Sequence, residues 1–250
     1  MSAASEPELE PLIERTEAGR VFETQRTVSI DDANAAGRME MDAIANFLQD
    51  AGNDDTDDAG FAALGLAWVA RRMTIDVHRF PKSRDQLKIA TWCSGTGRRW
   101  AERRTTFTTE SGGHIEAAAI WIHVDGVTGA PVPWGDDFAN TYLEAAGDRK
   151  VAAKLSLPKA APSDADGPLD WRFRKTDTDA FDHVNNAAYL AVLEEFSSLD
   201  QTAHRFEIEW RSPTRFDEAV EVFRTTKNES TTLWVVVAGE TRAVLRTRRI

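Results

Sequence analysis

The spacing of apolar positions divides this chain into two similar halves. From Val21, "VFETQRTVSI" has the composition of a strand. Met41, Ile44, Ala45 and Leu48 then recur at i, i+3, i+4 and i+7. That spacing predicts a helix over "MEMDAIANFLQDAG", with Gly52 as its stop and "NDDTDD" (53–58) as an acidic loop. After Trp68 the pattern changes. "RMTIDVHRF", "QLKIATWCSG", "RWAERRTTFTTE" and "HIEAAAIWIHVD" are rich in β-branched and aromatic residues, with turn chemistry between and after them. This predicts an antiparallel meander. Residues 145–168 carry no apolar period and read as a connection. The pattern then restarts, with "DWRFRKT" as a strand, "NAAYLAVLEEF" as a helix, and "HRFEIEWRSP", "AVEVFRTT", "TTLWVVVAGE" and "TRAVLRTRR" as strands.

The two halves align without a gap. "RMTIDVHRFPKSRDQLKI" lies on "RFEIEWRSPTRFDEAVEV", so that Arg72 meets Arg205, Ile75 meets Ile208, Asp76 meets Glu209 and Asp85 meets Glu218. The repeated order of strand, helix and meander predicts an α+β fold of two tandem units. Each unit is an antiparallel sheet wrapped around one long buried helix, since "AAYLAVL" is too apolar for a surface helix. The predicted organisation is a tail over 1–18, an N-terminal unit over 19–146, a linker over 147–168 and a C-terminal unit over 169–250.

Composition narrows the function. The net charge of −11 disfavours nucleic acid as a partner, although arginines cluster locally, as at Arg98, Arg99, Arg103 and Arg104. No apolar run is long enough to span a bilayer, and the acidic first residues do not resemble a secretory signal. One cysteine among 250 residues permits no internal disulfide and suggests a cytoplasmic protein. No phosphate-cradling glycine loop, serine elbow or HExxH motif is present, and the five histidines have no metal-ligand spacing. Cys93 sits among apolar strand neighbours, where cysteine acts as a small hydrophobe.

One stretch stands apart, "KTDTDAFDHVNNAAY" (175–189). It gathers acids, a histidine and two asparagines where the chain enters the apolar helix. Capping explains an asparagine. It does not explain His183 placed four residues after Asp179. Together they suit hydrolysis: Asp179 to activate water or fix a tautomer, His183 to move a proton near neutral pH, and the helix N–H groups to stabilise an oxyanion.

At "DTDAFDHVNNAAYL" the chain resembles the hot-dog thioesterases. From about Val21 onward, through "IANFLQDAG", "GLAWVARRMTIDVHRFP", "IATWCSGTGRR" and "FEIEWRSP", it is similar to the acyl-acyl-carrier-protein thioesterases of plants and bacteria. The resemblance implies a double hot-dog fold. It implies cleavage of a fatty acyl thioester carried on phosphopantetheine, on acyl carrier protein or CoA, without metal or cofactor. The acyl tail would lie in the N-terminal unit and the catalytic residues in the C-terminal one. The family pattern is Asp-x-Asn-x-His-Val-Asn-Asn. Asp179 and His183 fall on its catalytic Asp and His, and Asn185 and Asn186 on its paired asparagines, as substrate contacts. Phe181, also assigned to the substrate, stands at the catalytic Asn, and Pro213 at a downstream acid. What remains resembles the simpler acyl-CoA hot-dog enzymes, in which one aspartate carries most of the chemistry. The alternatives are an acyl-CoA thioesterase of this fold, a non-catalytic acyl-thioester binder, and a hot-dog dehydratase or hydratase, whose motifs are missing. The double unit is expected to be a monomer or homodimer without a membrane partner. Ile44, Leu48, Trp68 and Trp92 are expected to set pocket depth.

Overall fold

The computed structural model of the protein describes residues 12–15, 17–61 and 67–250. The expected tail, 1–18, therefore lies largely outside the described residues. Along them run β1 (Val21–Thr27), α1 (Met41–Asp58), β2 (Ala67–Arg79), β3 (Gln86–Thr96), β4 (Trp100–Thr108), β5 (His114–Val124) and α2 (Asp136–Ala146). Then come β6 (Asp166–Asp170), α3 (Ala188–Phe196), β7 (His204–Trp210), β8 (Val220–Lys227), β9 (Ser230–Val237) and β10 (Glu240–Arg249). Short 3-10 turns at Ile30–Asp32 and Lys175–Asp177 precede α1 and α3.

All ten strands form one antiparallel sheet in the order β1-β3-β4-β5-β2-β7-β10-β9-β8-β6. Each half contributes five strands in the same sequence of roles, mirrored about the middle. The two units join edge to edge through β2 and β7. Side chains alternate across this sheet. Met73, Ile75 and Val77 of β2 and Phe206, Ile208 and Trp210 of β7 face the helices and share one apolar core with Ile44 and Leu48 of α1 and Leu190 and Leu193 of α3.

The seam register respects the repeat. Arg72 pairs with Glu209, Thr74 with Glu207, and Asp76 with Arg205. Since Arg72 is the repeat equivalent of Arg205, and Asp76 of Glu209, these are two copies of one Arg–acid pair about a pseudo-two-fold at Thr74–Glu207. The copies have diverged. Arg205 grips Asp76 in a buried bidentate pair, Nε to Oδ1 at 2.6 Å and Nη2 to Oδ2 at 2.5 Å. Glu209 instead accepts the Ser156 and Leu157 N–H groups at 2.5 and 3.0 Å, and Arg72 donates to the Lys154 carbonyl at 3.0 Å. The connecting segment is thus a strap across the sheet face away from the helices. Arg149 anchors it on Glu102 (2.5 Å), and Trp100 and Trp234 donate to the Val151 and Pro158 carbonyls (2.8 and 3.0 Å).

Several elements differ from the sequence expectation. Helix α1 does not stop at Gly52 but runs on through Asp58 and ends at Gly60, whose φ is +80°. Three of the four acids of "NDDTDD" are paired with arginines from neighbouring elements. Asp55, 1% exposed, is held by Arg20 and Arg103, each at 2.7 Å; Asp58 pairs with Arg20 at 2.5 Å, and Asp54 pairs with Arg26. Those contacts offset the roughly 1 kcal/mol that an interior glycine costs a helix relative to Ala. The strand expected over "DWRFRKT" lies earlier, at β6, because Trp171 and Phe173 leave the sheet to pack on Phe196 and Tyr189, at ring centroids 6.0 and 5.1 Å. Helix α3 is short at nine residues. Helix α2 was not anticipated.

The seam pair gives a direct test. Asp76→Ala removes the bidentate carboxylate from the buried Arg205 and should cost about 3–5 kcal/mol in urea unfolding. The double change Asp76→Leu with Arg205→Met should recover most of that loss, because a packed apolar pair replaces two desolvated charges.

Candidate active site

The segment 175–187 is a folded loop held by its own polar groups. The Asp179 and His183 backbones close it, with the Asp179 N–H donating to the His183 carbonyl at 2.8 Å. Inside it, Asp179 Oδ1 accepts the N–H groups of Phe181 (2.9 Å) and His183 (3.2 Å). Val184 is tied to the Thr214 carbonyl at 2.8 Å, and the Asn185 N–H to the Asp177 carbonyl at 2.8 Å. Asp182 takes φ +61° at the turn. One carboxylate oxygen of Asp179 thus shapes the loop. The other, Oδ2, makes no hydrogen bond among the described residues, and neither does the half-buried His183 ring.

The same loop occurs in the first half. Asn34 Oδ1 accepts the Ala36 (3.0 Å) and Arg38 (3.1 Å) N–H groups, and its own N–H donates to the Arg38 carbonyl at 2.9 Å. Gly37, φ +75°, stands for Asp182. Every pair is 145 positions apart: Asn34 with Asp179, Ala36 with Phe181, Arg38 with His183. The loop geometry is therefore structural in both halves, while the side chains differ. Arg38 is buried, ion-paired with Glu194 of α3 and stacked over Phe80 at 4.6 Å. His183 is left with its ring free.

Each helix also reaches into the other half's loop. Glu194 accepts the Met41 N–H at 2.8 Å, and its equivalent Gln49, on α1, donates to Asn185 Oδ1 at 3.0 Å and accepts from Asn186 Nδ2 at 3.5 Å. Asn185 Oδ1 also accepts the Ala187 N–H at 2.9 Å, but the N-cap of α3 is Ala187, without a side-chain cap, so Asn185 shapes the turn before the helix and does not cap it. That contact corrects part of the oxyanion expectation: the Ala187 N–H is occupied, and the Ala188 N–H donates to the Asn185 carbonyl at 3.0 Å. Asp217 and Glu218 lie against Arg215 and Arg242, not against Asp179. Burial pushes the Tyr189 phenol up to about 12, and the Asp179 and Glu218 carboxylates act in the same direction.

Beside the loop lies a cleft of about 280 Å³ that Gln49 and the exposed Phe181 line together. Its wall is aromatic: Trp68, Phe138, Tyr142 and Phe61 follow one another in ring contact at centroid distances of 5.0–5.8 Å. Arg103, paired with Asp55, adds a polar group to the lining, with its guanidinium over the Tyr142 ring at 5.8 Å. Of the residues expected to set pocket depth, only Trp68 lines this cleft. Ile44 and Leu48 turn into the core, and Trp92 lies under the Arg104 guanidinium at 5.8 Å. Gln49 escaped the sequence reading because its partners are 136 and 137 positions away.

Fold and loop together describe a thioester hydrolase built from two hot-dog units. A family model described as the acyl-ACP thioesterase N-terminal domain matches residues 19–142, and one described as the C-terminal domain matches 161–244. The chain belongs to the acyl-ACP thioesterase family. It is 26% identical over 244 residues to an uncharacterised protein of Mycobacterium tuberculosis, covering 96% of each chain. It is 24% identical over 239 residues to oleoyl-acyl carrier protein thioesterase 1 of Arabidopsis thaliana, covering 86% of this chain and 66% of that one. Its fold is similar to an acyl-ACP thioesterase of Bacteroides thetaiotaomicron, with TM-score 0.76 and 17% identity over 91% of this chain and 97% of that one. It is also similar to the 12:0-ACP thioesterase of Umbellularia californica, with TM-score 0.72 and 21% identity over 91% and 96% of the two chains. No helix among the described residues is long and apolar enough to cross a membrane.

Cys93 lines the cleft, yet burial pushes its thiol up to about 11. At pH 8 only about one molecule in a thousand would carry the thiolate, the reactive form. Native protein should therefore resist alkylation at Cys93 until denatured, and Cys93→Ala should retain thioesterase activity within about threefold.

Proposed function

We propose that this chain hydrolyses fatty acyl thioesters, carried on acyl carrier protein, to the free acid and the carrier thiol. The observation that carries this reading is the divided role of Asp179. Oδ1 is committed to the loop, Oδ2 makes no hydrogen bond among the described residues, and Phe181 of the same loop lines an aromatic cleft. In this mechanism Oδ2 draws a proton from water while the water oxygen attacks the thioester carbonyl. The tetrahedral intermediate then expels the thiolate, which takes up the proton. His183 orients the water or the leaving sulfur, and Asn185 contacts the carbonyl oxygen. Phe181 borders the cleft, Asn186 is tied to it through Gln49, and the acyl tail follows the aromatic wall into the N-terminal unit. The domain division is thus a division of labour, with the pocket in 19–146 and the chemistry in 169–250. The single buried cysteine supports a reducing compartment such as the cytoplasm.

Phe181, in place of an asparagine, also favours a second reading, that of an acyl-thioester binder without turnover. Thiol release from one acyl group on acyl carrier protein and on CoA separates the readings. Faster release from the carrier protein, lost as salt rises, supports protein docking. Faster release from CoA supports the acyl-CoA alternative, and binding without release the non-catalytic one.

Asp179→Asn is the sharper variant. Asn34 performs the same loop function in the first half, so the variant should fold with near wild-type stability. Without a carboxylate its kcat should fall by about 100-fold or more. Near wild-type turnover would remove Asp179 from the chemistry.

A further inference from the structure

The three carboxamides at the loop and α1 form a chain with one direction. The Ala187 N–H donates to Asn185 Oδ1 at 2.9 Å, which fixes which end of that amide is oxygen. The same oxygen accepts Gln49 Nε2 at 3.0 Å, which in turn orients Gln49. Gln49 Oε1 then faces Asn186 Nδ2 at 3.5 Å. With Oδ1 doubly engaged, the Asn185 NH2 group is left as a donor without a hydrogen-bond partner among the described residues.

We propose that Gln49 is a positioning residue of the C-terminal site, holding the Asn185 NH2 group where it donates to the thioester carbonyl oxygen as charge develops there. This rests on the thioesterase reading. A donor held in advance costs no reorganisation during the reaction, which is the basis of oxyanion stabilisation. The equivalent position in α3 shows why the amide matters. Glu194 only accepts, from the Met41 N–H and from Arg38. A carboxylate at position 49 would turn lone pairs toward Asn185 Oδ1 and release it. Asn185 then supplies a polar donor that Phe181 cannot. The active site also becomes a joint product of both halves, since α1 contributes Gln49 both to the cleft and to the donor.

The experiment compares kcat and KM of wild type, Gln49→Ala and Gln49→Glu across pH. Gln49→Ala should lower kcat about tenfold or more with KM within about threefold, a loss of orientation rather than of binding. For Gln49→Glu, the ratio of its kcat to that of wild type should fall as pH rises through the titration of the new carboxyl, because only the protonated acid can donate to Asn185. A pH-independent ratio, or unchanged kcat in both variants, would overturn the proposal. Side-chain amide resonances of Asn185 and Asn186 give a readout free of turnover. They should shift in Gln49→Ala, and unchanged signals would overturn the proposal as well. If wild type releases no thiol from any acyl thioester, the hydrolytic reading fails separately, and those resonances decide whether Gln49 orients Asn185.

Discussion

The structure depends on one strand pairing, β2 against β7. It fixes the pseudo-two-fold at Thr74–Glu207 and turns two half-sheets into one. It also sets α1 and α3 side by side beneath the sheet, close enough for each to reach the other's loop. Without this seam neither half would be complete: α1 and α3 share one core, and each loop takes a hydrogen bond from the opposite helix. The seam is itself ionic. Arg205 and Asp76 are desolvated there, a poor source of stability compared with an apolar pair. Their value lies in register, because a one-residue slip would set Arg205 against an apolar neighbour and turn the core residues to the wrong face.

Duplication followed by divergence separates structure from chemistry within one molecule. The two loops share an Asx cap, a positive-φ turn and the same closing backbone bond. Whatever the fold requires must be present in both. What differs is therefore available to function: Asn34 against Asp179, Arg38 against His183, Glu194 against Gln49. In the first half the differences close the site, since Arg38 and Glu194 neutralise each other and seal the entrance to α1. In the second they leave a carboxylate oxygen, an imidazole and an amide NH2 without hydrogen-bond partners among the described residues. A repeat that buries one ion pair and opens the other site has specialised by unequal hydrogen bonding, not by a change of fold.

The sheet was largely legible in the sequence because strand periodicity and turn chemistry coincide in each meander. The gapless match of Arg72 to Arg205 and Asp76 to Glu209 does not by itself contain the seam register, since only a pairing centred at Thr74–Glu207 sets each arginine opposite the other strand's acid. The end of α1 was misread because Gly52 and four aspartates look like a stop and a loop. The arginines that pair with three of them, Arg20, Arg26 and Arg103, are distant in sequence. Helix α2 had a readable signal that was passed over: Asp136 and Asp137 at the first turn, Phe138, Tyr142 and Ala145 at i, i+4 and i+7, and Gly147 at its end. Within the site, Asp179, His183 and Asn185 share a loop and so could be found together. Gln49 is joined to them only by folding.

The cleft bears on what kind of chain the site can accept. Its aromatic wall offers the favourable burial of roughly 0.8 kcal/mol per methylene. Gln49, Gly52, Asn53 and Thr56 also line it, presenting one face of α1 at i, i+3, i+4 and i+7, with Arg103 packed 3.5 Å from where a Gly52 Cβ would stand and over the Tyr142 ring. Arg103 cannot move aside freely, because it pairs with Asp55, which Arg20 also holds. An alkyl chain lying along the aromatic wall gains with each methylene. One pressed against the guanidinium gains little and desolvates a buried ion pair, which is costly unless new hydrogen bonds replace the water. The Asp55–Arg103 pair, which holds the end of α1 in place, is thus also a fixed polar boundary of the cleft, so the arginines that let the acidic helix form also set the polar part of its lining.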